Sequence, residues 1–519
     1  MFENLKIKRT IRPEEIHIKP KTTWTNIKII AISALGSFLF GYSNNAISGT
    51  LVQQSFVSKY LSGDNAAALT DGILGGFIGG NLAGAIVQGP ISTRYGRRIA
   101  TAVAALLLTI SGALQAGAAN INMFIAARTI CGIGAGMVIT NVPVYMSEIA
   151  PPHSRGLLVA SHGLMITNAY IASSAVALGF RFVYTDYQWR LQFVVLTFLS
   201  LLLLLSVFFL PESPRWLVQN DRIDEAWIVL EKLHKSDSDP EAALARAEFI
   251  QIEAQTAAEK ELPKGLIYIF KTPSLRKRAF CAILVWMMGQ STGVLVIANL
   301  ISTLFADLGY DTTLQLGLSL VWFVIGQTGS AVNAVLMDRF GRVVLLVVGG
   351  YLCCINITIE AVLQKFYLNS GFKPGVNAAV AFYYIFIFLY GCTVDCAAYV
   401  YITEIWPTHI RSTGTTIGLS AFFVTQLAFT VPASTAFQNL GWKYYFIFMS
   451  VCFITTTCIL FYLPETAGLS LEEVGMRFGD NVEIEFQQIA KEKQQQKMDG
   501  IEPLPEAEHI ERSIEVPSS

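Results

Sequence analysis

Charge is scarce in this sequence. Only 14% of its 519 residues are Asp, Glu, Lys or Arg, against about 25% in soluble domains. That excludes an ordinary water-soluble domain. The few charges nearly cancel, to a net −1, so a nucleic-acid partner is not expected. Histidine is rarer still, with six residues. The eight cysteines (Cys131, Cys281, Cys353, Cys354, Cys392, Cys396, Cys452 and Cys458) fall inside apolar runs, without histidines at metal-ligand spacing. They read as small buried hydrophobes, and no metal site is expected. No nucleophile–base pair or cofactor loop survives inspection, so neither an enzyme nor a cofactor is expected. No cleavable signal pattern opens the chain; residues 1–28 are polar and basic, with Lys6, Lys8, Arg9, Arg12, Lys19, Lys21 and Lys28.

Long apolar runs are what the sequence has. A membrane helix needs about 20 mostly apolar residues, and that template finds twelve candidates. Six lie at approximately 29–51, 71–91, 99–119, 122–146, 157–180 and 190–210. Six more lie at 279–305, 315–337, 343–364, 376–402, 413–434 and 442–463. Between them, 211–278 is polar, and DRIDEAWIVLEKLH has apolar residues at helical spacing, so short amphipathic helices are expected there. The expected organisation is a tail (1–28), a six-helix half (29–210), a helical insert (211–278), a second half (279–463) and a tail (464–519). The last part of that tail is expected to be disordered.

Orientation follows the basic residues. With an even number of spans, both tails and the insert share one side and hold most Lys and Arg, so that side is expected to be the cytoplasm. Trp189 and Trp442, beside Arg190 and Lys443, are expected as interfacial anchors. The glycine-rich stretches Gly72–Gly84 and Gly132–Gly136 lie within spans and are expected to let helices pack closely.

The two halves repeat. YMSEIAPPHSRG and YITEIWPTHIRSTG place Glu148 and Glu404, and Arg155 and Arg411, 256 residues apart. TRYGRR matches DRFGRV at an offset of 245, and PESPRWL matches PETAGLS at 253. Two halves of shared design enclose a site near the midplane and rock to expose it alternately.

These motifs, with FGY and ISG in the first span and Arg128 before GIGAG in the fourth, resemble the sugar porter family of the major facilitator superfamily. The resemblance covers roughly residues 36–475. It implies an all-α membrane protein of twelve transmembrane helices in two pseudo-symmetric six-helix halves. It also implies a small-molecule substrate, a lipid environment, a monomer and the plasma membrane. An intracellular gate is carried over to Arg97, Arg98, Glu148, Arg155, Glu212 and Arg215 in the first half. In the second half it falls on Asp338, Arg342, Glu404, Arg411 and Glu465. Thr93 replaces the family's acid and Val343 its second arginine, so the gate is expected to be lopsided.

Charges inside spans are costly and mark function. Arg128, Asp395 and Glu360 stand out, although Glu360 lies near a span end and is expected to reach water. The family's pattern places an acid where this chain has Ser43, so its usual proton site is missing. Either the protein is a facilitator driven by the substrate gradient, or Asp395 supplies a titrating group instead. His162 is read as structural. In the cavity, Gln290 keeps one amide of the family's seventh span. Gly289, Leu295, Asn299 and Leu300 replace other polar or aromatic positions, Gly163 replaces a fifth-span glutamine, and Tyr399 replaces a tryptophan. Candidate substrate contacts are Gln290, Asn299, Tyr399, Asn168, Arg128 and Asp395. The expected solute is a sugar or sugar-like compound. The alternatives are efflux of a less polar metabolite and a non-transporting sugar sensor.

Overall fold

The computed structural model describes residues 24–149, 155–183, 185–234, 245–246, 248–250, 252–253, 256, 265–368, 370, 372–407, 410–467, 469 and 471–479. Side chains at 24–27, 155–160, 338, 412 and 471–472 are not among them. The expected disordered end therefore falls outside the described residues. Residues 1–468 form one unit; 469–519 form another, which holds the short helix Leu471–Phe478.

Among the described residues there is no strand. Ten helical stretches among the described residues are long and apolar enough to cross a membrane. The last, Thr413–Tyr462, contains two long helices, and Trp24–Thr50 adds another, which makes twelve crossings. The first half comprises α1 (Trp24–Thr50), α2 (Ala66–Tyr95), α3 (Arg97–Ala116), α4 (Ile121–Ile149), α5 (Arg155–Phe180) and α6 (Gln188–Ser206). The second comprises α7 (Pro273–Ser291), α8 (Val294–Asp307), α9 (Thr312–Phe340), α10 (Arg342–Tyr367), α11 (Lys373–Tyr390), α12 (Cys396–Glu404), α13 (Arg411–Thr430), α14 (Ala433–Leu440) and α15 (Tyr445–Tyr462). The end where α1 begins and the Gly96 and Gly341 turns lie is called proximal here, and the other end distal.

Two crossings are broken where the sequence reads as one span. Gly293 separates α7 from α8 at φ +76, a left-handed conformation that favours glycine. Between α11 and α12 the chain makes a π-helical turn, Gly391–Asp395. There Gly391 lies so close to α9 that a Cβ would sit 2.8 Å from the Gly326 carbonyl oxygen. The glycine-rich stretches join α2 to α4: a Cβ at Gly84, Gly132 or Gly136 would come within 2.1 Å of a backbone oxygen on the other helix.

In the insert, Ser213 caps Pro214–Gln219, its hydroxyl accepting from the Trp216 amide at 3.3 Å. The amphipathic helix Ile223–His234 packs Ala226 and Leu230 against Trp216 and Leu217. One expectation is corrected: Trp189 is not an interfacial anchor. It is fully buried among Phe56, Tyr60, Phe124 and Phe193, because α4 and the short helix Gln54–Tyr60 bring other aromatics onto it and α6 adds Phe193. Its neighbour Arg190 donates to the Ala116 and Ala118 carbonyls, which satisfies the end of α3.

Candidate functional site

Two turns of one design occupy the proximal end. Gly96 links α2 to α3 and Gly341 links α9 to α10, at φ +95 and +91. Glu212 accepts hydrogen bonds from the backbone N–H of Arg97 at 2.8 Å and of Arg98 at 3.2 Å. Glu465 accepts from those of Arg342 and Val343, both at 2.9 Å. Each carboxylate satisfies amides that a helix start leaves open and meets the positive end of its dipole. Arg97 holds Glu148 with two bonds, Nε at 2.8 Å and Nη2 at 2.9 Å. Arg342 holds Glu404 through Nη2 at 3.1 Å, and the Thr466 hydroxyl donates to the other Glu404 oxygen at 2.7 Å. Arg98 reaches the Phe208 carbonyl at 3.0 Å; Val343, its counterpart, has no such group.

These clusters each lie within one half. Burial is the largest influence on Glu212 and pushes its carboxyl above the usual range; the amides of Ser213, Arg97 and Arg98 pull the other way. Burial first, and Arg215 second, push the Arg411 guanidinium below its ordinary value. The side chains of Arg155 and Asp338 lie outside the described residues.

Deeper in, Arg128 is fully buried. Its Nη1 donates to the Ser43 carbonyl at 2.8 Å, and its guanidinium lies 4.1 Å from the Phe77 ring centre. Its Nε and Nη2 have no partner. The Ser43 hydroxyl turns away, onto the Phe40 carbonyl at 3.0 Å. His162 pairs with the Ser37 hydroxyl at 2.7 Å.

Mid-membrane, polar groups gather where α5 meets α9. Asn168 accepts from Gln327 across the halves at 3.1 Å, and the Tyr170 and Phe323 rings lie 5.5 Å apart. Asn44 donates to the Tyr170 hydroxyl at 3.0 Å. One turn beyond Gln327, the Ser330 hydroxyl donates to Asp395 at 2.6 Å. Tyr399, one turn past Asp395, meets Trp286 edge-on at 4.6 Å, and Trp286 meets Phe422 at 4.8 Å. Gln290 is buried with its Nε2 unpartnered, and so are both amide atoms of Asn333. Asn299 spends its amide on its own helix, donating to the Leu295 carbonyl at 2.8 Å. The structure therefore brings Asn168, Asp395 and Tyr399 into one region and keeps Arg128 apart, on Ser43. Gln327, Ser330, Asn333, Trp286 and Tyr170 were missed by sequence reasoning; a polar residue recurring on one face of an apolar helix is the signal for the α9 group.

Glu360 does not reach water, contrary to expectation. It is 3% exposed, and its Oε1 accepts from Gln364 at 3.0 Å, beside the Tyr383 and Tyr445 hydroxyls, which are 2.7 Å apart. The aromatic residues of α11 and α15 close over it. Towards the distal end the halves touch again: Ser48 and Ser302 hydroxyls lie 3.4 Å apart, and Asp71 on α2 accepts from the start of α14.

A model of the family described as "Sugar (and other) transporter" matches residues 29–478. The MFS-type transporter criB of Aspergillus cristatus is 30% identical over 457 residues, covering 87% of this chain and 93% of that protein. The high-affinity glucose transporter of Kluyveromyces lactis is 25% identical, covering 93% and 90%. In fold, the chain is similar to the partially occluded, inward-open xylose transporter XylE of E. coli, with TM-score 0.73 and 22% identity over 86% of this chain and 99% of that one.

Proposed function

Because this chain belongs to the sugar (and other) transporter family of the major facilitator superfamily, we propose that it carries a sugar or sugar-like solute across a membrane by alternating access. One observation supports this reading most. Buried amide atoms have no protein partner at Gln290 Nε2, one turn past Trp286, whose ring meets Tyr399, and at Gln327 Oε1 and both amide atoms of Asn333 on α9. A buried amide without a partner costs free energy, so such groups are kept for a ligand or water. Hydroxyls satisfy amides, and aromatic faces cover the apolar side of a sugar ring.

The proximal end faces the cytoplasm in this reading, supported by the Lys and Arg of the tails and insert. The contacts that join the halves towards the distal end support an inward-open state in this reading. The clusters around Arg97 and Arg342 then serve as the cytoplasmic gate. The protein works as a monomer in the plasma membrane. Export of a less polar metabolite is the second reading. It is favoured by Leu295 and Leu300 in the seventh span, and by Asn299, whose amide is used within its own helix.

The test is expression in yeast lacking its own hexose carriers, with radiolabelled glucose, xylose and lactose. Rescue of growth with uptake of one label supports sugar import. Absence of uptake for all three, with surface expression verified, rejects sugar import and favours export.

A further inference from the structure

We propose that Asp395 is a proton-binding site whose occupancy couples transport to a proton gradient. The inference rests on the transport reading and adds its driving force.

Three observations carry it. First, Asp395 is alone in charge. Its described hydrogen bond is from the Ser330 hydroxyl, at 2.6 Å, and among the described residues no cation forms an ion pair with it. Among the described residues, Tyr170, Tyr390, Tyr399 and Cys396 are close enough to feel its charge, and none of them is a cation near neutral pH. Beyond these, among the described residues, α10 brings Cys353 towards Tyr390, and α9 brings the uncharged Ser330. Arg128 is engaged with Ser43 and Phe77 instead. An unpaired carboxylate inside a membrane is expensive, so something that arrives must neutralise it.

Second, the surroundings suit a proton better than a metal ion. Hard cations take roughly six or more oxygen ligands. Here one carboxylate is served by a donating hydroxyl, and no group of three His, Cys, Asp or Glu able to hold a metal occurs among the described residues.

Third, the place is right. A coupling site must change its surroundings as the carrier changes state, because a ligand shifts an equilibrium only through unequal affinity for the two states. Asp395 ends the π-helical turn Gly391–Asp395, an irregularity that is frequent at functional sites. The turn packs on α9, which bears Gln327 and Phe323 against Asn168 and Tyr170 of the first half. When the halves rock, Tyr170 moves relative to Asp395, and access to the carboxyl moves from one compartment to the other. Glu360, the other buried acid, lacks this property. Its partners Gln364, Tyr383 and Tyr445 all belong to the second half and travel with it.

Two measurements test the proposal. The first needs no substrate. Infrared pH titration of the full-length protein in lipid reads protonated carboxyl groups. A titrating band present in wild type and in Glu360→Gln, and absent in Asp395→Asn, supports the site. Identical bands in wild type and Asp395→Asn overturn it. Ser330→Ala, which keeps the carboxyl, shifts the midpoint of that band; an unmoved midpoint overturns the assignment.

The second measurement uses proteoliposomes and radiolabelled D-glucose and D-xylose, with a gradient of about one pH unit imposed in each direction in turn. One proton per solute supports up to about tenfold accumulation, abolished by an uncoupler and by Asp395→Asn. Uptake by wild type that ignores the gradient, or that follows sodium instead, overturns the coupling. If neither sugar moves, the sugar reading fails, and the infrared result alone decides the proton site.

Discussion

Asp71 of the first half accepts a hydrogen bond from the Thr435 amide of the second at 3.0 Å and another from its hydroxyl, while the neighbouring Ser434 amide donates at 2.7 Å. The carboxylate sits at the start of the eight-residue helix α14, where open amides and the helix dipole both favour an anion. It is 7% exposed, so water competes poorly. This contact ties the halves at the distal end. Replacing Asp71 with Ala removes charge-assisted bonds worth about 1.5–3 kcal/mol from the closed arrangement. The closed-to-open ratio should fall at least about tenfold. Spin labels on the exposed residues Asp64 and Gln438 report it as a longer distance population; an unchanged distribution contradicts the assignment.

The two proximal glycines should tolerate alanine poorly. A Cβ at Gly96 would sit 2.2 Å from a Glu212 oxygen, and one at Gly341 would sit 2.7 Å from a Glu465 oxygen. Both residues also have positive φ. Each substitution should cost more than about 1 kcal/mol, with Gly96→Ala the worse. Thermal unfolding in detergent checks this, and wild-type melting for both would show that the turns adapt.

Unequal pairing predicts unequal sensitivity. Glu148→Gln breaks a pair joined by two arginine bonds whose side chains are each 12% exposed; Glu404→Gln breaks a pair joined by one arginine bond in which the glutamate is 27% exposed. The first should cost roughly 1–3 kcal/mol and the second less. The same melting assay ranks them, and the reverse order would remove the argument.

Glu212 predicts a pH effect. Its carboxyl titrates above the ordinary carboxylate range in the folded protein because of burial. Over the window from the ordinary value up to the raised one, the folded state holds a proton that the unfolded state has released. Stability contributed by that proton is present at lower pH and falls as pH rises through the window. Glu212→Gln should flatten this part of the melting-versus-pH curve. A curve that keeps its slope without Glu212 assigns the effect elsewhere.

Gln290 predicts a substrate effect. Its free Nε2 is available to a hydroxyl, so Gln290→Ala should weaken a transported sugar by about 1–3 kcal/mol, read as a rise in KM with expression unchanged. An unaltered KM for the sugar that wild type carries would take Gln290 out of the site.

The helices were legible because lipid demands long apolar runs with every backbone group paired inside the helix. The doubled design was legible because Glu148 and Glu404, and Arg155 and Arg411, repeat at one offset. Less was legible in the middle. Gln327, Ser330 and Asn333 are short polar interruptions of an apolar run, and nothing local says whether they face lipid, a neighbour or the other half. Glu360 looked close enough to a span end to find water, yet Tyr383 and Tyr445, distant in sequence, seal it.

Composition, periodicity and repetition thus determined how many times this chain crosses and which charges sit at the helix ends, because those depend on one helix and its solvent. Tertiary structure alone decided the partners: that Glu212 caps α3, that Arg128 rests on Ser43, that Asp71 bridges the halves and that Ser330 donates to Asp395. A hydrogen bond is made over about 3 Å, and residues 65 to 363 positions apart come within that reach only after the helices have packed.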